Sequence, residues 1–377
     1  MQYDAAVLGL GGMGSAAVAH LARRGLRVAG IERFSLMHEL GASTGRTRII
    51  RKAYFEDTAY VPLLQRAYTL WRELEELSQT ALLDCFGVLM IGRPDSTAVT
   101  GVTRAADMFG IPTEPLDAVA LRARYPRLAL HADEVGILEP DAGVVFPERA
   151  IAAHLTLAQD LGAQLYDRAS VRGFQLERRK VRIRIEGSDD VITDRLAVCA
   201  GAWTDDLLGR LGLPLRVQRN VQYWYTPPPQ ACGPAELPAF FLEREGLPAP
   251  LYAIPDLGDG FKAAFHGFGE FTWADTLDRN VHGAETAVMR DTLGELMPGT
   301  ELRMREARAC MYTMTPDANF GIGFDPQSPR VAIACGFSGH GFKFAPVIGE
   351  ILTQMLLGEA PPYALDFLRL DRFTAGT

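Results

Sequence analysis

Tyr3-Asp-Ala-Ala-Val-Leu-Gly-Leu-Gly-Gly-Met-Gly14 opens a stretch that runs on to Glu32 and decides the fold. Ala5-Ala-Val-Leu8 reads as a buried strand, Gly9 to Gly14 as a turn, the small residues up to Arg24 as a helix, and residues 26–31 as a second strand ending at Glu32. Strand, Gly-rich turn, helix, strand and acid together make a dinucleotide-binding unit. Gly9 permits the tight turn, Gly11 lets the backbone approach a pyrophosphate, and Gly14 lets the helix pack closely on the strand. Helix amides receive the phosphates, and Glu32 accepts hydrogen bonds from the ribose hydroxyls of an adenosine while repelling a 2′-phosphate. Arg33, next along, joins the same cofactor-binding set. A Gly-rich turn alone is common; its strand, helix and terminal acid make this one specific.

Residues 5–22 carry no Asp, Glu, Lys or Arg and resemble a signal peptide or membrane span in composition alone. The opening Met-Gln-Tyr-Asp is not a basic leader, and the central glycines make a poor spanning helix. The chain has 377 residues, 48% hydrophobic and 22% charged, enough for two domains with separate cores. Its net charge of −8 without a long basic run argues against a nucleic-acid surface or a polybasic membrane anchor, leaving a small-molecule ligand. Cys85, Cys199, Cys232, Cys310 and Cys335 are scattered, odd in number and free of CxxC spacing, so neither a disulfide framework nor a metal site is expected, and the cytoplasm is the expected compartment.

Beyond Glu32 the nucleotide-binding pattern breaks off. Residues 35–54 read as irregular and arginine-rich, residues 61–77 as a helix, and residues 85–138 as an excursion that includes a helix over 98–109. A helix over 146–161, the alternating strand 180–185 and the apolar strand 195–200 return to the cofactor domain. From Leu213 to about Thr313, alternating aromatic runs such as Val221-Gln-Tyr-Trp-Tyr225 suit an antiparallel sheet. The strand 330–335 then enters Gly336-Phe-Ser-Gly-His-Gly341, and a helix over 342–357 stops at Gly358. The expected architecture is an α/β, two-domain chain. A Rossmann-like domain is assembled from residues 1–82, 146–212 and 318–377, and a substrate domain on a large, mostly antiparallel sheet from 83–145 and 213–317. A nucleotide domain in three pieces suits flavoproteins better than nicotinamide dehydrogenases.

The second Gly-rich turn, with Gly339 and Gly341, offers amides and a helix dipole to an anion, or serves as a plain connection. Lys343 stands in the first turn of the expected helix, where a cation is unfavourable unless something anionic lies nearby. Gly45-Arg-Thr-Arg-Ile-Ile-Arg51 supplies guanidiniums suited to a carboxylate, or a solvated basic loop. Taken alone, Cys310 reads as a small buried hydrophobe, and Lys262 with His266, on one face of a strand, as an exposed lysine and a satisfied histidine.

Together, Thr47-Arg-Ile-Ile-Arg51 with Tyr54, Tyr60-Val-Pro-Leu63 with Leu70-Trp71, Cys310-Met-Tyr-Thr313 with Pro316-Asp317, and Phe337-Ser-Gly-His-Gly-Phe-Lys343 resemble the monomeric sarcosine oxidase and N-methyl-amino-acid oxidase family, among flavoproteins similar to D-amino-acid oxidase. The similarity runs nearly the full length. It implies FAD joined through an 8α thioether to Cys310, Arg51 and Lys343 holding the substrate carboxylate, Arg48 close to the flavin, and Lys262 as the cation that activates O2. Tyr252 and His266 match groups lining the substrate pocket, although Tyr252-Ala-Ile-Pro replaces a Tyr-Gly-Phe-Pro pattern. The implied reaction moves a hydride from the carbon beside nitrogen to flavin N5; the imine hydrolyses and O2 becomes hydrogen peroxide. A monomer is implied.

The sequence departs from the family at Thr44, where histidine is usual, and at Arg46, where an acid is usual. Both are expected near flavin and substrate, which suggests a pocket that is widened or altered in polarity and suited to bulkier N-alkyl or cyclic amino acids. The rival readings are an NAD-dependent dehydrogenase with a structural Cys310, a non-covalent FAD amine oxidase such as glycine oxidase, and a flavin-binding module without turnover.

Overall fold

Ala5–Leu8 is buried along its whole length and lies inside a six-stranded sheet. In the computed structural model, which describes residues 2–373, that sheet runs Gln164–Tyr166, Val28–Ile31, Ala5–Leu8, Leu196–Val198, Ser328–Cys335 and Gly321–Asp325. Every pairing is parallel except the last. Apolar runs without alternation, such as Ala5-Ala-Val-Leu8, are what a sheet covered on both faces requires. Helix Gly12–Arg23 packs against helices Pro147–Asp160 and Ala345–Leu357. The approach is close enough that a Cβ on Gly349 would fall 2.6 Å from the Ala16 carbonyl carbon.

A second, nine-stranded sheet draws on Val88–Gly92, Glu114–Leu116 and Val135–Glu139 from one part of the chain and on the strands between Arg216 and Met314 from another. Its pairings are antiparallel except for Ala239–Leu242 on Val88–Gly92, which joins the two parts. A four-stranded sheet and the small sheet of Arg48–Ile50, Gly143–Val145 and Leu83–Asp84 complete the set. No helix among the described residues is long and apolar enough to cross a membrane.

Three features depart from the sequence reading. Within the segment read as irregular, Arg48–Ile50 forms a strand on Gly143–Val145. Helix Gly283–Leu296 interrupts the stretch read as sheet; it is closed by a capping box between His282 and Glu285 and buries Met289, Leu293 and Leu296. A single narrow apolar stripe is a weak periodic signal beside the aromatic strands around it. Finally, Lys343 does not sit in an α-helix: Phe342–Phe344 is a 3-10 turn, and the α-helix Ala345–Leu357 starts behind it with Pro346 in its first turn, a position proline favours. Residues 374–377, the end of the last expected cofactor-domain piece, lie outside the described residues.

Candidate active site

Two glycines shape the first turn by different means. Gly9 has φ +82°, a left-handed conformation, and a Cβ there would lie 2.5 Å from the Cys199 carbonyl oxygen. At Gly14 a Cβ would fall 1.7 Å from the Gly9 oxygen, so only glycine lets the helix sit on the turn. Gly11 adjoins open space, with only the Ser43 hydroxyl at 3.4 Å, and the Gly12 amide donates to that hydroxyl at 3.1 Å. Glu32 is buried; it accepts from the Leu10 amide at 2.8 Å and the Phe34 amide at 3.0 Å, and His38 lies 3.3 Å away. Burial works against its charge, but the His38 contact and those amides hold the carboxyl below its ordinary range. Arg33 pairs with Asp275 at 3.1 Å and lies over the Phe34 and Trp203 rings.

One cavity of about 530 Å³ extends from Gly9, Gly11 and Glu32 to Arg48, Arg51 and Lys343. These residues fit FAD: a glycine turn that tolerates no Cβ at its tightest point, a buried carboxylate at the end of the second strand, and a long cavity that also borders the turn at Gly339 and Gly341. Gly339 has φ +78°, and a Cβ on it would strike the Tyr312 ring at 2.4 Å.

At the far end, Arg51 is buried, donates to the Ala53 carbonyl at 2.7 Å, and gives two hydrogen bonds to Glu56 at 2.9 and 2.7 Å. Burial opposes the Glu56 charge, yet Arg51, His340 and Lys343 outweigh it and hold the carboxyl at about 2. Lys343 donates to the His340 carbonyl at 2.9 Å and lies 3.4 Å from the Tyr54 hydroxyl. Burial, then the neighbouring Arg51, lowers its amine to about 7. Arg51 stacks over the same Tyr54 ring at 4.3 Å, so both cations share one aromatic platform.

His266 lies just past strand Phe261–Phe265, with Tyr312 3.5 Å from Nδ1; burial holds its imidazole at about 4 and therefore neutral at neutral pH. Tyr252 lines the same wall and is pushed by burial to about 12. Arg48 borders the cavity and donates to the carbonyls of Thr47, Ala42 and Thr44. Cys310, on strand Arg303–Met314, is buried with its sulfur 4.0 Å from Arg48 Nη2 and from the Ala42 oxygen, both beside the cavity.

Two expected positions differ. Lys262 does not border this cavity: its buried amine donates to the Gly45 carbonyl at 2.7 Å and the Thr47 carbonyl at 2.9 Å, and it lines a second cavity across segment 44–48. Of the two departures from the family pattern, Thr44 borders the main cavity whereas Arg46 turns into the second one, paired with Glu306 at 2.6 Å and lying over Trp224. The left-handed φ of +65° at Arg46 reverses the direction expected from simple sequence adjacency.

Sequence reasoning passed over Glu56, Tyr312 and His340. His340 accepts or donates at Nδ1 with the Tyr54 hydroxyl at 2.6 Å and contacts the Ala318 carbonyl through Nε2 at 2.9 Å. Tyr312 and His340 lie inside two of the motifs that carried the resemblance, which was the available signal. Glu56 had none, because its link to Arg51 depends on the path of the turn between them.

A nucleotide cradle that leads without a break into a pocket of buried cations defines a flavin-dependent oxidoreductase. The chain belongs to the family of FAD dependent oxidoreductases, whose sequence profile matches residues 4–355. It is 41% identical over 361 residues to a monomeric sarcosine oxidase of Streptomyces avermitilis, covering 94% of each chain. It is 33% identical over 379 residues to an N-methyl-L-tryptophan oxidase of Salmonella agona, covering 99% of this chain and 100% of the other. The structure of NikD, an unusual amino acid oxidase essential for nikkomycin biosynthesis, superposes with a TM-score of 0.86 at 22% identity, covering 98% of this chain and 97% of that one, and so shares the fold. The chain is an FAD-dependent amine oxidase acting on CH–NH donors. The nicotinamide reading is thereby set aside.

Proposed function

We propose that this enzyme oxidises secondary amino acids, with a preference for N-alkyl or cyclic ones bulkier than sarcosine, and releases hydrogen peroxide. The observation that carries the reading is the pair Arg51 and Lys343 over one tyrosine ring, both lining the same cavity as Gly9, Gly11 and Glu32. A carboxylate held there fixes the amine and its C–H bonds relative to the ring of the flavin, and such positioning supplies much of a rate enhancement. FAD, when bound, accepts the hydride and passes its electrons to O2.

The protein's own groups do the rest. Arg51 and Lys343 hold the carboxylate; the neutral His266, Tyr252 and Tyr312 line the amine's side without competing for it. Gly9, Gly11, Gly14, Glu32 and Arg33 hold the adenosine and pyrophosphate, and the turn at Gly339 and Gly341 faces the flavin. Cys310 is the proposed thioether attachment point, supported by its place beside Arg48 and Ala42. Lys262 supplies positive charge for the reduction of O2 from behind segment 44–48; burial and the neighbouring Arg48 lower its amine well below the ordinary lysine range, and the Gly45 and Thr47 carbonyls that accept from it favour the ammonium. Residues 1–82, 146–212 and 318–377 form the cofactor domain and the rest the substrate domain, in a cytoplasmic monomer.

Thr44 borders the cavity and is smaller than histidine, so the pocket widens there. Comparing kcat/KM for sarcosine and for a bulky N-methyl amino acid tests this preference: the bulky substrate is expected to win, and a strong preference for sarcosine overturns it. Thr44→His is expected to shift the ratio back toward sarcosine.

A further inference from the structure

Among the described residues the buried amine of Lys262 has no carboxylate partner in hydrogen-bond reach; it is held by two backbone carbonyls, Gly45 at 2.7 Å and Thr47 at 2.9 Å, and faces the Trp224 ring at 5.2 Å. The Gly45 carbonyl belongs to the same peptide unit as the Arg46 N–H, and in a trans peptide these two groups point in opposite directions. The Arg46 N–H donates to Glu148 Oε1 at 3.0 Å, and the Gly45 N–H donates to the same oxygen at 2.8 Å. A carboxylate therefore stands at the N–H end of this peptide unit and an ammonium at its C=O end, each at the pole of the peptide dipole that favours it.

The local backbone is shaped for the arrangement. With Gly45 at φ +107°, the Gly45 and Arg46 N–H groups converge on one oxygen as in an anion-binding nest. The φ of +107° at Gly45 favours glycine, and a Cβ there would also meet Gln222 Oε1 at 2.1 Å. Glu148 comes from the first turn of helix Pro147–Asp160, an element of the cofactor-binding side, whereas Lys262 comes from the nine-stranded sheet. The peptide is the link between them.

We propose that Glu148 is a positioning residue for the oxygen half of the reaction: through the Gly45–Arg46 peptide it orients the carbonyl that holds the Lys262 ammonium. This rests on the reading of Lys262 as the cation that assists O2. Glu148 touches neither substrate nor flavin in this role.

The test uses the holoenzyme and two readouts. The chain has only four lysines, Lys52, Lys180, Lys262 and Lys343, so selective 15Nζ-lysine NMR resolves the Lys262 ammonium, assigned with Lys262→Met. Anaerobic reduction by substrate and reoxidation by O2 are then followed separately at the flavin absorbance. In Glu148→Ala the slowly exchanging Lys262 signal is expected to disappear, and reoxidation to slow by about tenfold with a smaller change in reduction. Glu148→Gln keeps one oxygen able to accept both N–H groups and is expected to restore both readouts. If Glu148→Ala fails to fold, Glu148→Asp withdraws the acceptor by one methylene and gives the same comparison. An unchanged Lys262 signal in the Ala or Asp variant overturns the positioning role. Unaltered reoxidation in Lys262→Met instead overturns the underlying reading of Lys262.

Discussion

Arg51 Nη2 donates to both carboxylate oxygens of Glu56, so the guanidinium assigned to a substrate carboxylate already holds one from the protein. A ligand that binds there must displace Glu56 or share Arg51 with it. Glu56→Gln removes the competing charge while keeping the side chain's shape. The dissociation constant of a carboxylate inhibitor, read from its perturbation of flavin absorbance, is expected to fall about tenfold, a difference of roughly 1.4 kcal/mol. The melting temperature is expected to drop, because Arg51 is then buried without its partner. An unchanged dissociation constant counts against Arg51 as the carboxylate site.

Lys343 makes binding depend on pH across neutrality. Its amine is lowered to about 7, first by burial and then by Arg51. The protonated form attracts a carboxylate, so affinity for an inhibitor that has a carboxylate and no amine is complete below about 7 and declines as pH rises through it. Bound carboxylate moves that decline upward by linkage. Lys343→Met should bind more weakly and lose the decline; a variant with the wild-type pH profile would point to another group.

Gly14 is the steric test of the cofactor cradle. A Cβ there meets the backbone oxygen of Gly9 at 1.7 Å, and a backbone atom has no rotamer to retreat into. Gly14→Ala must push helix Gly12–Arg23 off its strand, at an expected cost of about 3 kcal/mol. The variant is expected to fold with lower stability and to purify with little flavin, measured as the ratio of flavin to protein absorbance. Full flavin content contradicts this reading of the turn.

The nucleotide-binding unit was legible because each part has a local reason: the glycines answer to backbone geometry and Glu32 to its place at a strand end. Helix Val61–Ser78 and strand Ser328–Cys335 were legible from periodicity and unbroken apolar runs. Helix Gly283–Leu296 was not, since three buried side chains in fourteen residues leave a faint stripe. The site residues came as types and motifs, but their facing did not. Thr44 and Arg46 are two positions apart and open onto different cavities because the positive φ angles of Gly45 and of Arg46 itself turn the chain there. The Arg51–Glu56 pair is likewise a product of tertiary path. One expected placement differs: Lys343 lies in a 3-10 turn directly ahead of the α-helix, not within it, and its amine donates to the His340 carbonyl.

Cys310 can be tested apart from the rest of the site. The sulfur is buried and does not itself line the cavity, but it lies 4.0 Å from Arg48 and Ala42, which do. With a thioether to the flavin, acid precipitation leaves the yellow colour in the pellet. Cys310→Ser is expected to release it to the supernatant while the variant still binds FAD. Colour released from the wild-type protein would assign the enzyme to the non-covalent oxidases.

The central claim is that Arg51 and Lys343 hold a carboxylate so that the adjoining amine is oxidised. The most direct measurement is peroxide release by the wild-type enzyme from an N-methyl amino acid and from the same amine lacking its carboxylate, at equal concentrations. Turnover of the amino acid with little or none of the decarboxylated amine is the expected result. Equal kcat/KM for the two would contradict the account, because the paired cations would then contribute nothing to recognition.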